Sequence, residues 1–337
     1  MITTLGVIVF YVIPAVLLAE VLRYVYLEYR RDRIPILLYH RLIARRAVEA
    51  GRIPDDEPIY ASYDDTFAAQ MRYLCDHDYT TLSMDEFLAV RRGRVPIPKR
   101  PVVLTFDDGY SSNHSLAWPV LHGQGMKATI FVVPEPDGET VDLVRGIDGF
   151  LSEDQMRELD RGGVAIESHT LTHCVLSDLE NDAASYELME SRRRLGKVLG
   201  RPVRHLAVPR SGHNLRVRRL ARAAGYESAC GNAKGSSNGW SNLYALPRIV
   251  IERDTSVEDF ARALQPGRAV VLRLVGNLKR IPAILFGSVR TQEIRQTLLT
   301  SPLGGLLLTR RLVSMLAGAA VLYSLGILLF TWLLVSH

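Results

Sequence analysis

The chain has 337 residues and a mass of 37.7 kDa, with 47% hydrophobic and 23% charged residues and a mean hydropathy of +0.06. That excludes a mini-protein and a disordered chain, and it is apolar for an enzyme that never meets a membrane. Lys and Arg (41) exceed Asp and Glu (36) only modestly, without long cationic runs, so nucleic acid is not an expected partner; Cys75, Cys174 and Cys230 form no CxxC pair, which argues against a disulfide framework or a thiolate metal site.

Residues 1–28 begin with a stretch uncharged until Glu20 and predict an N-terminal transmembrane helix, in which Pro14 is tolerable. The lack of a basic segment before it argues against a cleaved signal peptide. Across 29–275, short β-branched runs alternate with amphipathic helices. Strands are predicted at Ile34–Tyr39, Pro101–Phe106, Ala128–Val133, Gly163–Ser168, Arg204–Val208, Ile249–Glu252 and Ala269–Leu274. Helices are predicted at Phe67–Cys75, Met84–Arg91, Leu116–Gln124, Glu153–Leu159, Ala183–Leu199, Leu215–Ala224 and Val257–Leu264. This order implies an α/β domain with a parallel sheet, barrel or doubly wound, whose ligands meet the C-terminal strand ends.

Residues 276–311 form a basic, Leu-rich amphipathic segment suited to an anionic membrane surface, with Lys279, Arg280, Arg290, Arg295, Arg310 and Arg311 against Glu293. Residues 312–337 contain a charge-free run from Leu312 to Val335, enough to cross a hydrocarbon core of about 30 Å, and predict a C-terminal transmembrane helix. The first span is followed by Arg23, Arg30, Arg31 and Arg33, and the last is preceded by the basic segment. This bias places the central domain on the cytoplasmic side of a bacterial inner (plasma) membrane.

The run PVVLTF leads directly into Asp107, Asp108 and Gly109, two adjacent carboxylates at a strand's C-terminal tip. Consecutive side chains of an extended strand point in opposite directions, so the two can divide cation binding and proton transfer; an Asp-Asp-Gly turn can equally just cap a helix. The run GVAIES likewise ends in His169 and His173. One carboxylate and two imidazoles leave an open position on a divalent cation, the arrangement that lowers the pKa of water toward about 7.

The sequences Thr105-Phe106-Asp107-Asp108-Gly109 and Ser168-His169-Thr170-Leu171-Thr172-His173 resemble the first two motifs of the polysaccharide deacetylases, carbohydrate esterase family 4. The resemblance implies a distorted (β/α)7 barrel over Ile34–Leu274, with Asp107 as catalytic base and Asp108, His169 and His173 as metal ligands. The family's Arg-x-x-Pro-aromatic segment corresponds here to the run His205-Leu206-Ala207-Val208-Pro209-Arg210-Ser211-Gly212, with Arg210 in place of the aromatic, so the backbone amide of Arg210 is the expected oxyanion donor and its side chain turns the rim toward anionic groups. The late Leu-x-His strand reads Val271-Leu272-Arg273-Leu274, without histidine. Ile36-Leu37-Leu38-Tyr39-His40 instead resembles the first strand of the circularly permuted branch that de-N-acetylates poly-N-acetylglucosamine, which makes His40 the candidate acid. Arg248 is the candidate for orienting Asp107, and His213 and Trp240 are candidate sugar contacts.

The resulting expectation is a membrane-anchored, metal-dependent hydrolase, with zinc as the default metal, removing N-acetyl groups from an amino-sugar glycan or a lipid-linked saccharide. Expected partners are that glycan, membrane lipids and polysaccharide synthesis or export proteins. The rivals are a deformylase or deacylase of a polyprenyl-phosphate-linked sugar, and an inactive partner of a polysaccharide synthase.

Overall fold

The computed structural model describes residues 13–52, 61–142 and 148–271. The chain divides into one unit of Met1–Arg30 with Pro266–His337, and a second of Arg31–Gln265. In the first unit, Ile13–Glu28 is helical and exposes Val16, Leu22 and Tyr26, while Tyr24, Leu27 and Val270 cluster. Among the described residues no helix is long and apolar enough to cross a membrane. The segments 276–311 and 312–337, and the first twelve residues, lie outside the described residues.

Among the described residues the second unit has ten strands: β1 (Ile36–Tyr39), β2 (Leu42–Ile43), β3 (Ser62–Tyr63), β4 (Thr80–Leu82), β5 (Pro101–Phe106), β6 (Ala128–Val132), β7 (Val164–Ser168), β8 (His205–Ala207), β9 (Ser228–Lys234) and β10 (Leu246–Val250). All principal pairings are parallel, in the order β1-β10-β9-β8-β7-β6-β5-β4. β1 pairs with both β10 (Leu37 opposite Ile249) and β5 (Leu37 opposite Leu104), which closes seven strands into a barrel. The short β4 runs beside the start of β5, and β2 and β3 form a separate two-stranded ribbon.

Period-two alternation fixes what the barrel encloses. On β5 the inward positions are Val103, Thr105 and, one step past the strand, Asp107; on β1 they are Ile36, Leu38 and His40. The apolar members fill the lower interior, where Ile36, Val103, Phe131, Ala207, Cys230 and Leu246 form one buried cluster floored by Ile34, Leu82, Met84 and Phe87. The polar members come last along each strand, so the same alternation that builds the core presents chemistry at its top.

The helices outside the sheet begin and end at defined caps. Ser83 and Ser152 each close a capping box, on Met84–Arg91 and Glu153–Arg161, with Glu86 and Gln155. Gly200 ends Asn181–Leu199 in the left-handed region at φ 67°, a conformation natural to glycine.

Ala269–Leu274 is no strand: residues 266–271 are helical and the rest lies outside the described residues. A short apolar run of this kind has no period that separates strand from buried helix. The barrel's remaining strand is β9, whose sequence SACGNAK has no β-branched residue to announce it.

Candidate active site

The C-terminal halves or ends of β1, β5, β7, β8, β9 and β10 meet at a cavity of ≈ 540 Å³ lined by His40, Asp107, Asp108, Tyr110, His169, His173, Arg210 and Arg248. The two adjacent carboxylates part company as the alternation requires. Asp107 points into the barrel and is 3% exposed; Asp108 turns away through a left-handed conformation, φ 73°, at the start of the following turn. Gly109 adopts φ 76°, and a Cβ there would sit 2.9 Å from Val132, so glycine is demanded both by conformation and by space.

Asp107 is held by Arg248 through two parallel hydrogen bonds, Nη1 to Oδ1 and Nη2 to Oδ2, each 2.7 Å. Arg248 is itself 3% exposed and reaches Asp107 from β10, across the barrel. Burial pushes the Asp107 carboxyl up, but the Arg248 guanidinium and then the His169 imidazole outweigh it and hold the group below the ordinary carboxylate range. Asp107 is thus an ionised carboxylate whose two oxygens are fixed in direction.

Asp108, His169 and His173 present one ligand atom each, all within 4.8 Å of one another. Nε2 of His169 and Nε2 of His173 both lie 3.3 Å from Asp108 Oδ1, a buried oxygen without a hydrogen-bond partner. The Nδ1–H of His169 donates to the carbonyl of Ala207 at 2.8 Å, which leaves Nε2 with its lone pair in the neutral ring. A lone pair aimed at an unsatisfied carboxylate oxygen is unfavourable unless a cation or a proton lies between them. The donor set therefore fits a divalent metal. Burial opposes protonation of His169, but Asp107 and Asp108 outweigh it and raise its pKa.

The loop carrying both imidazoles is strained: Thr170 and His173 have φ of 65° and 69°, a cost tolerated where the surroundings over-determine the backbone. Glu187 supplies that determination. Its buried carboxylate accepts from the N–H groups of Leu171 and Thr172, each at 3.0 Å, and from the Thr172 hydroxyl at 2.9 Å. Thr140 closes on His173 from the other side, with Oγ1 3.2 Å from Nδ1. Neither residue stood out in the sequence. Glu187 left one signal, an acid on the buried face of a helix in series with Ala184, Leu188, Ser191 and Leu195. Glu187→Ala is expected to weaken divalent-metal binding about 10–100-fold, and Glu187→Gln much less, since the amide keeps an acceptor for the two N–H groups. Calorimetric metal titration of both variants checks this.

His40 follows β1 and lines the cavity; burial lowers its pKa in spite of Asp108 and Asp107. Its main chain is anchored too, because Asn113 Nδ2 donates to the His40 carbonyl at 2.8 Å. Arg210 lines the opposite rim within the turn Pro209–Ser211, in the left-handed conformation at φ 47°. The sequence also nominated His213 and Trp240 for sugar contacts, but neither lines this cavity. His213 Nε2 meets the carbonyl of Tyr244 at 2.6 Å, and Trp240 belongs to a loop tied to the strand-start end through Asp32. Burial pushes the Cys174 thiol up to about 12, consistent with an inert side chain beside the ligands.

The polysaccharide deacetylase family profile matches residues 94–229. The chain is 30% identical over 234 residues to YxkH of Bacillus subtilis, a protein assigned to the polysaccharide deacetylases, covering 69% of this chain and 76% of that one. It is 25% identical over 241 residues to the poly-β-1,6-N-acetyl-D-glucosamine N-deacetylase of Staphylococcus epidermidis, covering 68% and 82%. Among solved structures it resembles the Streptococcus pyogenes deacetylase PplD in complex with acetate, with a TM-score of 0.61 and 25% identity over 69% of this chain and 99% of that one.

Proposed function

The chain belongs to the polysaccharide deacetylase family, and we propose that it hydrolyses the N-acetyl amide of amino sugars in a membrane-associated glycan. The observation that carries this reading is the convergence, on one cavity, of a fixed carboxylate (Asp107 on Arg248), a three-ligand cation set (Asp108, His169, His173) and a separate imidazole (His40).

A divalent cation held by Asp108, His169 and His173 supplies Lewis-acid charge stabilisation and water of lowered pKa. Zinc suits the mixed nitrogen and oxygen donors, and cobalt, nickel or iron fit the same set. Asp107 takes the proton of the attacking water, and Arg248 keeps that carboxylate ionised and aimed. The backbone N–H of Arg210 faces the oxygen on which charge develops. As the C–N bond breaks, the His40 imidazolium gives its proton to the departing amine nitrogen, leaving acetate and a free amino sugar. The lowered pKa makes that imidazolium a stronger acid and thins its population as pH rises. His40→Ala is therefore expected to reduce kcat about 10²–10⁴-fold with metal content unchanged, and to abolish the wild-type decline of rate on the alkaline side. Steady-state kinetics across pH on metal-replete protein would refute the role if turnover were undiminished.

We further propose that the chain is anchored in the bacterial inner membrane by its apolar ends, with the catalytic domain on the cytoplasmic side. The charge-free run Leu312–Val335, the exposed Val16 and Leu22 of the first helix and the basic flanks of both ends support this. A tag on His337 that resists protease in intact cells would contradict the orientation. Release of primary amine from poly-N-acetylglucosamine and from lipid-linked amino sugars, compared with the full-length protein, tests the reaction and its substrate; the absence of amine from every acetylated sugar would leave the inactive-partner reading.

A further inference from the structure

Three segments that no catalytic argument uses come together at the strand-start end of the barrel, opposite the cavity. The chain enters the barrel unit there through Arg31, Asp32 and Arg33, just before β1. From the last residue of helix Met84–Arg91 to β5 the chain reads Arg91-Arg92-Gly93-Arg94-Val95-Pro96-Ile97-Pro98-Lys99-Arg100, five cations and no acid of its own; Arg92 pairs with Glu227 at 2.6 Å, Lys99 with the exposed Asp78 at 3.0 Å, a surface pair that lipid phosphate can replace, and Arg100 donates to the His77 carbonyl at 2.9 Å. The loop between β9 and β10 carries Trp240, the most exposed of the large hydrophobic side chains described, at 72%.

Polar contacts hold the three in one patch. Arg91 reaches across with Nη1 to Ser237 Oγ at 2.9 Å and Nη2 to the carbonyls of Gly239 and Ser241 at 3.2 and 3.0 Å. The N–H of Gly239 donates to Asp32 at 2.8 Å, and Ile34 bridges to Ser237. Around this clamp Val95 and Ile97 stand 45% and 38% exposed, interleaved with Arg94, Lys99 and Arg100. The chain also leaves the unit near this end. Helix Val257–Ala263 runs back beside Asp64–Asp76, with Phe260 edge-on to Tyr73 at 6.1 Å, and β4 begins just beyond that helix.

We infer that this face rests on an anionic bilayer surface, with Trp240, Val95 and Ile97 at the headgroup level and Arg94, Lys99 and Arg100 on lipid phosphates. An aromatic ring with aliphatic side chains among cations matches an interface that is wet, apolar and negative within a few ångströms; a purely anionic polymer gives no gain for the apolar part. In sequence, the residues that flank this unit are the apolar stretch of 1–28 before Arg31 and, after Gln265, the segment that holds the charge-free run Leu312–Val335. The catalytic mouth then opens away from the lipid by the height of the barrel, roughly 15–20 Å for strands of this length. A sugar attached directly to a membrane-embedded polyprenyl phosphate does not reach it, whereas a polymer in the aqueous phase does. The inference rests on the barrel's polarity and its surface, not on the catalytic assignment.

The test uses the full chain with Trp118→Phe and Trp332→Phe, which leaves Trp240 as the only tryptophan, reconstituted in brominated phosphatidylcholine vesicles with or without phosphatidylglycerol. Bromolipid is expected to quench Trp240 and shield it from iodide, more strongly with phosphatidylglycerol. Adding Arg94→Glu, Val95→Ser and Ile97→Ser, all at exposed positions, should cut the quenching at least about twofold and leave amine release from a soluble substrate unchanged. Trp240 that is open to iodide and untouched by bromolipid overturns the inference. So does quenching indifferent to phosphatidylglycerol, or protection by an anionic polysaccharide but not by vesicles. Because the readout is fluorescence, an inactive chain would refute the proposed reaction without touching this result.

Discussion

Replacing Arg248 with methionine is expected to destabilise the metal-free fold at neutral pH by about 3–5 kcal/mol, a large share of a domain's usual total. The cause is not the loss of a favourable pair as such, since taking two charges out of water costs about as much as their attraction returns. It is that Asp107 is left ionised and 3% exposed, with both oxygens stripped of the fork that satisfied them. The pH dependence gives the sign. With Arg248 present the Asp107 pKa is depressed, so the pair contributes stability above the unfolded carboxylate value of about 3.9 and loses it as pH falls through the lower folded value. Without Arg248, burial raises the carboxyl, so the penalty is greatest at neutral pH and shrinks on acidification as Asp107 takes up a proton. Arg248→Met/Asp107→Asn should recover most of the lost stability, because neither partner is then a stranded charge, yet stay inactive. Urea denaturation of the single and double variants from neutral to acidic pH measures this; equal destabilisation at every pH would reject a charge-based role for Arg248. Arg248→Lys keeps the charge but not the two-pronged geometry, so it should fold better than Arg248→Met and still turn over slowly.

The chemistry of this centre was legible where it sits on strands that announce themselves. PVVLTF is apolar and β-branched and is stopped by Asp-Asp-Gly, so β5 ends where the sequence says and its tip falls at the barrel mouth. GVAIES does the same for the two imidazoles. Arg248 was legible only as a candidate, because nothing local says that β10 lies beside β1 and two strands from β5; its partner is settled by closure of the barrel. β4, Thr80–Leu82, stayed hidden because three residues are too short to show a period, and β9 for another reason. Small and polar residues such as Gly231 and Asn232 take an extended conformation through pairing with neighbours rather than by their own preference. Trp240 misled because an exposed aromatic in a deacetylase-like chain suggests a sugar platform, while its loop follows β9 down to the level of Ile34. Glu187 escaped because its three acceptor contacts go to a loop whose strained shape no sequence pattern shows.

Substituting His169 with alanine is expected to remove high-affinity divalent-metal binding and to lower kcat/KM by at least about 10²–10³-fold, the equivalent of several kcal/mol of charge stabilisation. His169 is the ligand to choose, because its ring is the best determined of the three: Nδ1 is fixed by the Ala207 carbonyl at 2.8 Å, and Nε2 has no role but to face Asp108 Oδ1 at 3.3 Å and, more distantly, Asp107 at 3.8 Å. Deleting it leaves Asp108 and His173, two donors where an open catalytic site needs three. Folding should suffer less than binding, since the deletion removes a ring that in the metal-free protein faces an unsatisfied carboxylate. The wild-type affinity should itself depend on pH. Protons compete with the metal for Nε2, and the two carboxylates raise the His169 pKa, so affinity should weaken on acidification from a pH above the ordinary histidine value of about 6.5. Cobalt titrations followed by visible absorbance, at pH values on both sides of neutrality, test both statements. Chelator treatment of the wild type should reproduce the activity loss, and added zinc should reverse it in the wild type but not in His169→Ala. A variant that binds cobalt with unchanged spectrum and affinity would move the metal away from these three residues and leave Asp107 and Arg248 without a reaction to serve.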